Sequence, residues 1–208
     1  MPIFAKDRFR CLFIHIPKTG GTSVEDAMRR LGWSESLIVH AAVDQLRHFK
    51  ITPQHYHAEL LDQILQWDAI DLTFSLCRHP FERMKSEYYW QLEVGFAKDV
   101  SPHAWFGNVV EQFSRDPCAF DNHLRPQVDF IPRDRACELL RLEDNGVRRA
   151  LELADRLSPA GWFKRRSGSV FSIWRQKSHR SKPVEDAFGD LRLRIEEFYA
   201  VDMSYFKY

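Results

Sequence analysis

The stretch Phe13–Met28, FIHIPKTGGTSVEDAM, constrains the fold more than any other. It begins in an apolar run (Cys11, Leu12, Phe13, Ile14, Ile16) of the kind that forms a buried strand, and it breaks at Pro17. Lys18, Thr19, Gly20 and Gly21 follow, and then Val24, Ala27, Met28 and Leu31 recur at helical spacing, with Gly32 as a stop. The spacing predicts strand, tight polar loop, helix. Such a junction attracts anions. The first N–H groups of a helix lack internal partners, and the helix dipole favours negative charge there. Gly20 and Gly21 let the backbone approach an oxyanion, Lys18 adds a full positive charge, and Thr19, Thr22 and Ser23 add hydroxyl donors. A phosphate or sulfate is the expected guest. The common P-loop places its Lys after the second Gly; here Lys18 precedes the glycine pair. An ordinary glycine-containing strand-to-helix turn is the plain alternative.

A second unit of the same kind lies farther along. Ile70–Cys77 (IDLTFSLC) reads as a strand, Arg78-His79-Pro80 as its exit, and Phe81, Met84, Tyr88 and Leu92 as the apolar stripe of a helix that Pro80 opens. In open α/β sheets the carboxyl ends of the strands carry the ligand. Arg78 stands at that end, and Arg83 and Ser86 share one face of the helix behind it. For Arg83 a surface salt bridge with Glu82 or Glu87 is the plain alternative.

The remaining segments follow in order. Ala41, Ala42, Leu46 and Phe49 hint at a helix that Thr52-Pro53 ends. His55 and His57 then precede a short amphipathic helix marked by Leu60, Leu61, Ile64 and Leu65. Two-residue spacing in an extended segment puts both imidazoles on one side, and a helix N-terminus keeps a nearby His neutral. Two surface histidines beside a helix cap are the plain alternative. Trp105, Phe106, Val109, Val110 and Phe113 suit a helix packed on the core, and residues 145–157 another amphipathic helix. Lys164-Arg165-Arg166 reads as a solvated basic loop. Cys11–Ile16, Leu72–Cys77 and Glu138–Leu142 are the expected strands, with weaker candidates at Val170–Trp174 and Ile38–His40. Together they predict a single α/β domain over residues 1–208, P-loop-like, with a small central parallel sheet and helices on both faces.

Composition narrows the function classes. The formal net charge of +1 leaves no global field for nucleic acid, so any anion site is local. The four cysteines (Cys11, Cys77, Cys118, Cys137) have no metal-ligand spacing and suit a reducing compartment. No apolar run approaches the length of a membrane span, and MPIFAKDRFR lacks a signal core. A cytoplasmic protein is expected.

Two separated anion sites suit a nucleotide with two separated phosphates. PKTGGTS after a strand, followed by a strand and Arg78, Pro80, Arg83, Ser86, Tyr88 and Tyr89 in the pattern R-x-P-x-x-R-x-x-S-x-Y-Y, resembles the sulfotransferases that use 3′-phosphoadenosine 5′-phosphosulfate (PAPS). Within them the chain is most similar to the carbohydrate group typified by heparan sulfate/uronyl 2-O-sulfotransferase. His55-Tyr56-His57 resembles that group's His-x-His, Asn122–Gln127 its H-x-R-P-Q element, and Leu140–Asp144 the strand after it. Gln176–Arg180 resembles its late basic loop, and Glu196–Tyr208 its terminal helix. The animal enzymes carry a membrane anchor and longer inserts around a polymer cleft. This chain shows neither, and so looks like a short bacterial-type member.

The resemblance implies PAPS as donor and a hydroxyl-bearing acceptor, on a sugar or glycan. It implies that Lys18, Thr19, Gly20, Gly21, Thr22 and Ser23 hold the 5′-phosphosulfate. Arg78 and Ser86 would hold the 3′-phosphate, and Lys177, Ser178 and Arg180 would close over the nucleotide. Lys18 would stabilise the leaving phosphate; His57 would be the general base, with His55 orienting or replacing it. No metal is expected, because a sulfuryl group carries less charge than a phosphoryl group and no carboxylate cluster accompanies the motifs. A nucleotide-dependent kinase would need Mg²⁺ ligands and a Walker-type Lys. A nucleotide-binding module without catalysis is the non-enzyme alternative.

Overall fold

The computed structural model describes residues 1–40, 46, 49–157 and 187–208. Strands β1 (Ile3–Lys6), β2 (Phe9–Ile14), β3 (Ser34–Ser36), β4 (Leu72–Cys77) and β5 (Glu138–Arg141) make one sheet in the order β3-β1-β2-β4-β5. The helices are α1 (Gly21–Arg30), α2 (Ala58–Ile64), α3 (Pro80–Glu93), α4 (Pro102–Arg115), α5 (Gly146–Leu157), α6 (Leu191–Phe198) and α7 (Ala200–Phe206).

The expected parallel sheet is present only at its centre. β4 pairs in parallel with β2, Phe13 opposite Phe74, and with β5, Leu76 opposite Leu140. β1 pairs antiparallel with both β2 and β3, so the sheet is mixed. Only Asp7 and Arg8 connect β1 to β2, a length that permits a hairpin and no crossover. Asp7 takes the positive φ (54°) of such a turn. Ile38–His40 is not a strand. β3 lies just before it, in polar Ser34-Glu35-Ser36, whose backbone pairs on one side only and whose side chains carry no strand signal. The Val170–Trp174 candidate and the basic run Lys164–Arg166 lie outside the described residues.

Strand alternation distributes the core to both faces. Cys11 and Phe13 of β2, with Phe74 and Leu76 of β4, pack against α1 and α5 through Val24, Met28, Ala150 and Leu151. Leu12 and Ile14 point the other way, toward Leu61 of α2, Phe130 and Phe206 of α7. Phe13 and Phe74 stack at 5.1 Å, an arrangement that adds about 1 kcal/mol beyond simple burial. A third cluster joins Met84 and Tyr88 of α3 to Trp105 and Phe106 of α4 and to Ile195 and Tyr199. The carboxyl ends of β2 and β4, side by side at the sheet's centre, open into the loops carrying Lys18 and Arg78.

Candidate functional site

The first loop is shaped by its backbone. Lys18 and Gly20 both take positive φ, 67° and 92°. Gly21 is required for a different reason: a Cβ there would fall 2.0 Å from His15 Nε2, overlapping its ring. His15 lies in the apolar run before the loop, and its Nδ1 is held by Glu25 of α1 at 2.6 Å. Thr19 is buried and its hydroxyl donates to Ile16 O (2.8 Å), so it closes the loop. The Ser23 N–H turns back to Gly20 O (3.1 Å). The Gly21 and Thr22 amides, first in α1, have no intrahelical carbonyl and are the ones available to an anion.

Long side chains hold the second loop to the first. Arg78 Nη1 donates to Lys18 O at 3.3 Å, joining the two candidate anion sites directly. Gln127 fixes the Arg78 peptide on both sides: its Oε1 accepts from Arg78 N (3.0 Å) and its Nε2 donates to Arg78 O (2.8 Å). Asp202 of α7 in turn accepts from Gln127 N at 2.9 Å. Arg83 is fully buried, which rules out the plain alternative of a surface salt bridge. Its Nε donates to Pro17 O (3.1 Å), and its Nη2 to His123 O (2.7 Å) and Arg125 O (2.9 Å). A guanidinium, with several fixed donors, can satisfy three carbonyls from two separate loops. Ser86 lies partly buried on α3, between Arg83 and Trp90.

His55 and His57 do not share an extended segment. His55 ends a 3-10 turn (Pro53–His55), and His57 is the N-cap residue of α2. His55 Nδ1 meets Asp121 Oδ2 at 2.7 Å, and Asp121 is itself held by Thr52 N and Oγ1. His55 packs edge-on between His15 (4.9 Å) and His123 (5.0 Å). Burial pulls its pKa down to about 3, against the opposing pull of Asp121. His57 Nδ1 is 3.2 Å from Asn122 Nδ2, while Asn122 Oδ1 accepts from Arg125 Nε at 3.1 Å. Burial, and then the Arg125 cation, lower the His57 pKa. Both side chains are mostly buried, 12% and 10% exposed.

Two further imidazoles repeat the His55 arrangement. His123 Nδ1 contacts Glu87 Oε2 at 2.7 Å, as His15 contacts Glu25. Burial works to raise the pKa of Glu25, Asp121 and Glu87, yet the paired imidazoles outweigh it and all three end below the usual carboxylate range. Lys18 projects toward this group, its Nζ lying 5.3 Å from the centre of the Trp90 ring. Burial lowers its pKa, with the Glu87 charge opposing. His55, Asp121 and His123 offer potential metal-ligand atoms within 4.8 Å of one another. In the structure these groups form hydrogen-bonded pairs, with Asp121 engaged by Thr52 and His55, and His123 by Glu87.

The structure thus brings Lys18, Gly20, Gly21 and Arg78 together and sets His55 behind them through His15. Lys177, Ser178 and Arg180 lie outside the described residues. Sequence reasoning missed His15, Glu25, Glu87, Trp90 and Asp121, and gave Asn122 and His123 no role. The one available signal was polar residues inside otherwise apolar stretches, such as His15 within FIHI. Among the described residues no helix is long and apolar enough to cross a membrane. The four cysteines are free thiols. A family model described as "Sulfotransferase family" matches residues 1–208, the whole chain. No curated protein and no solved structure matches it.

Proposed function

The chain belongs to the sulfotransferase family, and we propose that it moves the sulfuryl group of PAPS to a hydroxyl on a carbohydrate. The observation that carries this reading is the contact between Arg78 Nη1 and Lys18 O. It sets two cationic loops against each other at the ends of adjacent parallel strands, as a donor with separate 5′ and 3′ phosphates requires. The 5′-phosphosulfate would lie on the Gly21 and Thr22 amides beside Lys18. The 3′-phosphate would meet Arg78 and Ser86, with Lys177, Ser178 and Arg180 completing the nucleotide site.

In the reaction the acceptor oxygen attacks sulfur in line, the bond from sulfur to the bridging oxygen breaks, and the electron pair leaves with the 3′,5′-bisphosphate. Lys18 faces the charge that develops on that oxygen. A preorganised donor of this kind is worth about 3 kcal/mol. His57 takes the hydroxyl proton, and His55, fixed by Asp121, orients it. One observation favours exchanging these two roles. Asn122 Oδ1 is committed to Arg125, so its amide donates to His57 Nδ1 and leaves the ring proton on Nε2. In His55 the Asp121 contact places the proton on Nδ1 and frees Nε2 to act as base. The true base is the one whose replacement by Ala lowers turnover roughly 10²–10⁴-fold with nucleotide affinity retained.

The testing experiment is thermal unfolding with 3′,5′-adenosine bisphosphate, compared with AMP, ADP and ATP, with and without Mg²⁺. A ligand at roughly 100 times its dissociation constant adds about 2.7 kcal/mol. The expected result is a raised midpoint with the 3′,5′-bisphosphate, independent of Mg²⁺. A larger shift with ATP and Mg²⁺ would overturn the reading in favour of a kinase.

A further inference from the structure

Four rings stand in line behind the phosphate loop. His15, His55, His123 and Trp90 follow one another at centroid separations of 4.9, 5.0 and 4.8 Å. Each imidazole is locked through Nδ1 by its own carboxylate, Glu25, Asp121 or Glu87. The last ring, Trp90, turns its face to the Lys18 ammonium. Trp90 is one turn beyond Ser86 on α3, and its other neighbour is Phe96 at 6.1 Å.

We infer that Trp90 is a positioning residue for Lys18, its ring face forming the seat that fixes the ammonium at the reacting end of the phosphate loop. This rests on the reading that Lys18 serves sulfuryl transfer. Three observations converge on it. Lys18 has a left-handed backbone (φ 67°), and its ammonium lies over the Trp90 ring of α3. The nearby Glu87 carboxylate is engaged on both oxygens, by Gln91 Nε2 at 2.8 Å and His123 Nδ1 at 2.7 Å, and so acts on Lys18 as a charge at longer range. The Trp90 ring is itself braced by His123, which Glu87 locks, so the seat is rigid.

An aromatic seat suits this task better than a carboxylate would. A direct ion pair would neutralise the ammonium and have to break before a phosphate could use it. A ring face attracts the cation through its quadrupole and leaves the charge available. Arg78 repels the Lys18 ammonium, while Glu87 and Glu93 of α3 attract it.

The test replaces Trp90 in the full chain by tetrafluorotryptophan, which keeps the shape and removes the attractive face, and separately by Phe and by Leu. The first readout is the rate at which acetic anhydride acetylates Lys18, followed by peptide mass spectrometry without any nucleotide. The expected result is acetylation about tenfold faster with tetrafluorotryptophan or W90L, and near the wild-type rate with W90F. The second is turnover, expected to fall roughly tenfold with tetrafluorotryptophan while KM for PAPS changes little, because a displaced catalytic group loses rate before binding. An unchanged acetylation rate with the fluorinated ring would overturn the proposal, and that variant preserves the packing even where W90L does not fold. If acetylation responds but the wild-type protein transfers no sulfuryl group from PAPS, the seat stands and the assigned reaction fails.

Discussion

The two strand-loop-helix units differ in what builds them. The β2-to-α1 loop is made by backbone: positive φ at Lys18 and Gly20, amides at the start of α1, and a glycine kept bare because His15 occupies the space of its Cβ. The β4-to-α3 loop is made by side chains: Gln127 around the Arg78 peptide, and Arg83 reaching carbonyls in two other segments. The first presents N–H groups that only a close approach can reach. The second presents a long, charged arm that can follow a ligand. On the proposed reading, the loop of backbone donors would fix the reacting end of the donor and the loop of side chains would grip the rest.

The sharpest way to break this comparison is Gly21→Ala. The added methyl displaces His15 from Glu25, and breaking a buried pair costs about 3–5 kcal/mol. A large fall in the thermal midpoint is expected, and a midpoint unchanged from wild type would show that the loop does not depend on its bare backbone. Lys18→Ala comes next. Turnover should fall roughly 10²–10³-fold with the fold intact, whereas Arg78→Ala should chiefly weaken binding of 3′,5′-adenosine bisphosphate. Titration calorimetry and kinetics on the two variants would contradict the division if both lost affinity alone. Arg83→Met removes the donors to Pro17, His123 and Arg125 and should cost about 2 kcal/mol of stability. Because it loosens the first loop from the second, it should also weaken nucleotide binding although Arg83 is fully buried; retained affinity in a destabilised variant would separate the two loops.

A further effect concerns pH. The folded protein keeps His55 neutral down to about pH 3. The unfolded chain takes up that proton near the ordinary value of about 6.5. Stability from this group is therefore complete above about pH 6.5 and declines as pH falls toward 3, by up to about 1.4 kcal/mol per pH unit. The lowered carboxylates Glu25, Asp121 and Glu87 add losses of the same sign once pH drops below about 4. His55→Asn should flatten denaturant-measured stability between pH 6.5 and 4.5, and an unaltered slope would place the titration elsewhere.

Local pattern alone makes much of this fold legible. Leu72–Cys77 coincides with β4, and Glu138–Leu142 with β5 to within a residue, because apolar runs flanked by turn residues have one low-energy solution. The glycine pair, Lys18 and the change of period at Val24 likewise mark the β2-to-α1 junction. The N-terminal strand and Ser34–Ser36 are not legible in this way. One is a hairpin partner defined by a two-residue turn, and the other is held by backbone pairing that leaves no mark on its side chains.

By itself, then, the sequence determined the central strands and the loop that follows each. All of these depend on residues within a turn or two of one another. Only the tertiary structure decided which way the histidines face, that Arg83 is a buried clasp, and that Trp90 lies over Lys18. Each of those depends on partners tens of residues distant, such as Pro17 for Arg83 and Asp121 for His55, which meet only after the sheet has formed. Their energies come from burial and close hydrogen-bond geometry, which a periodic pattern does not encode.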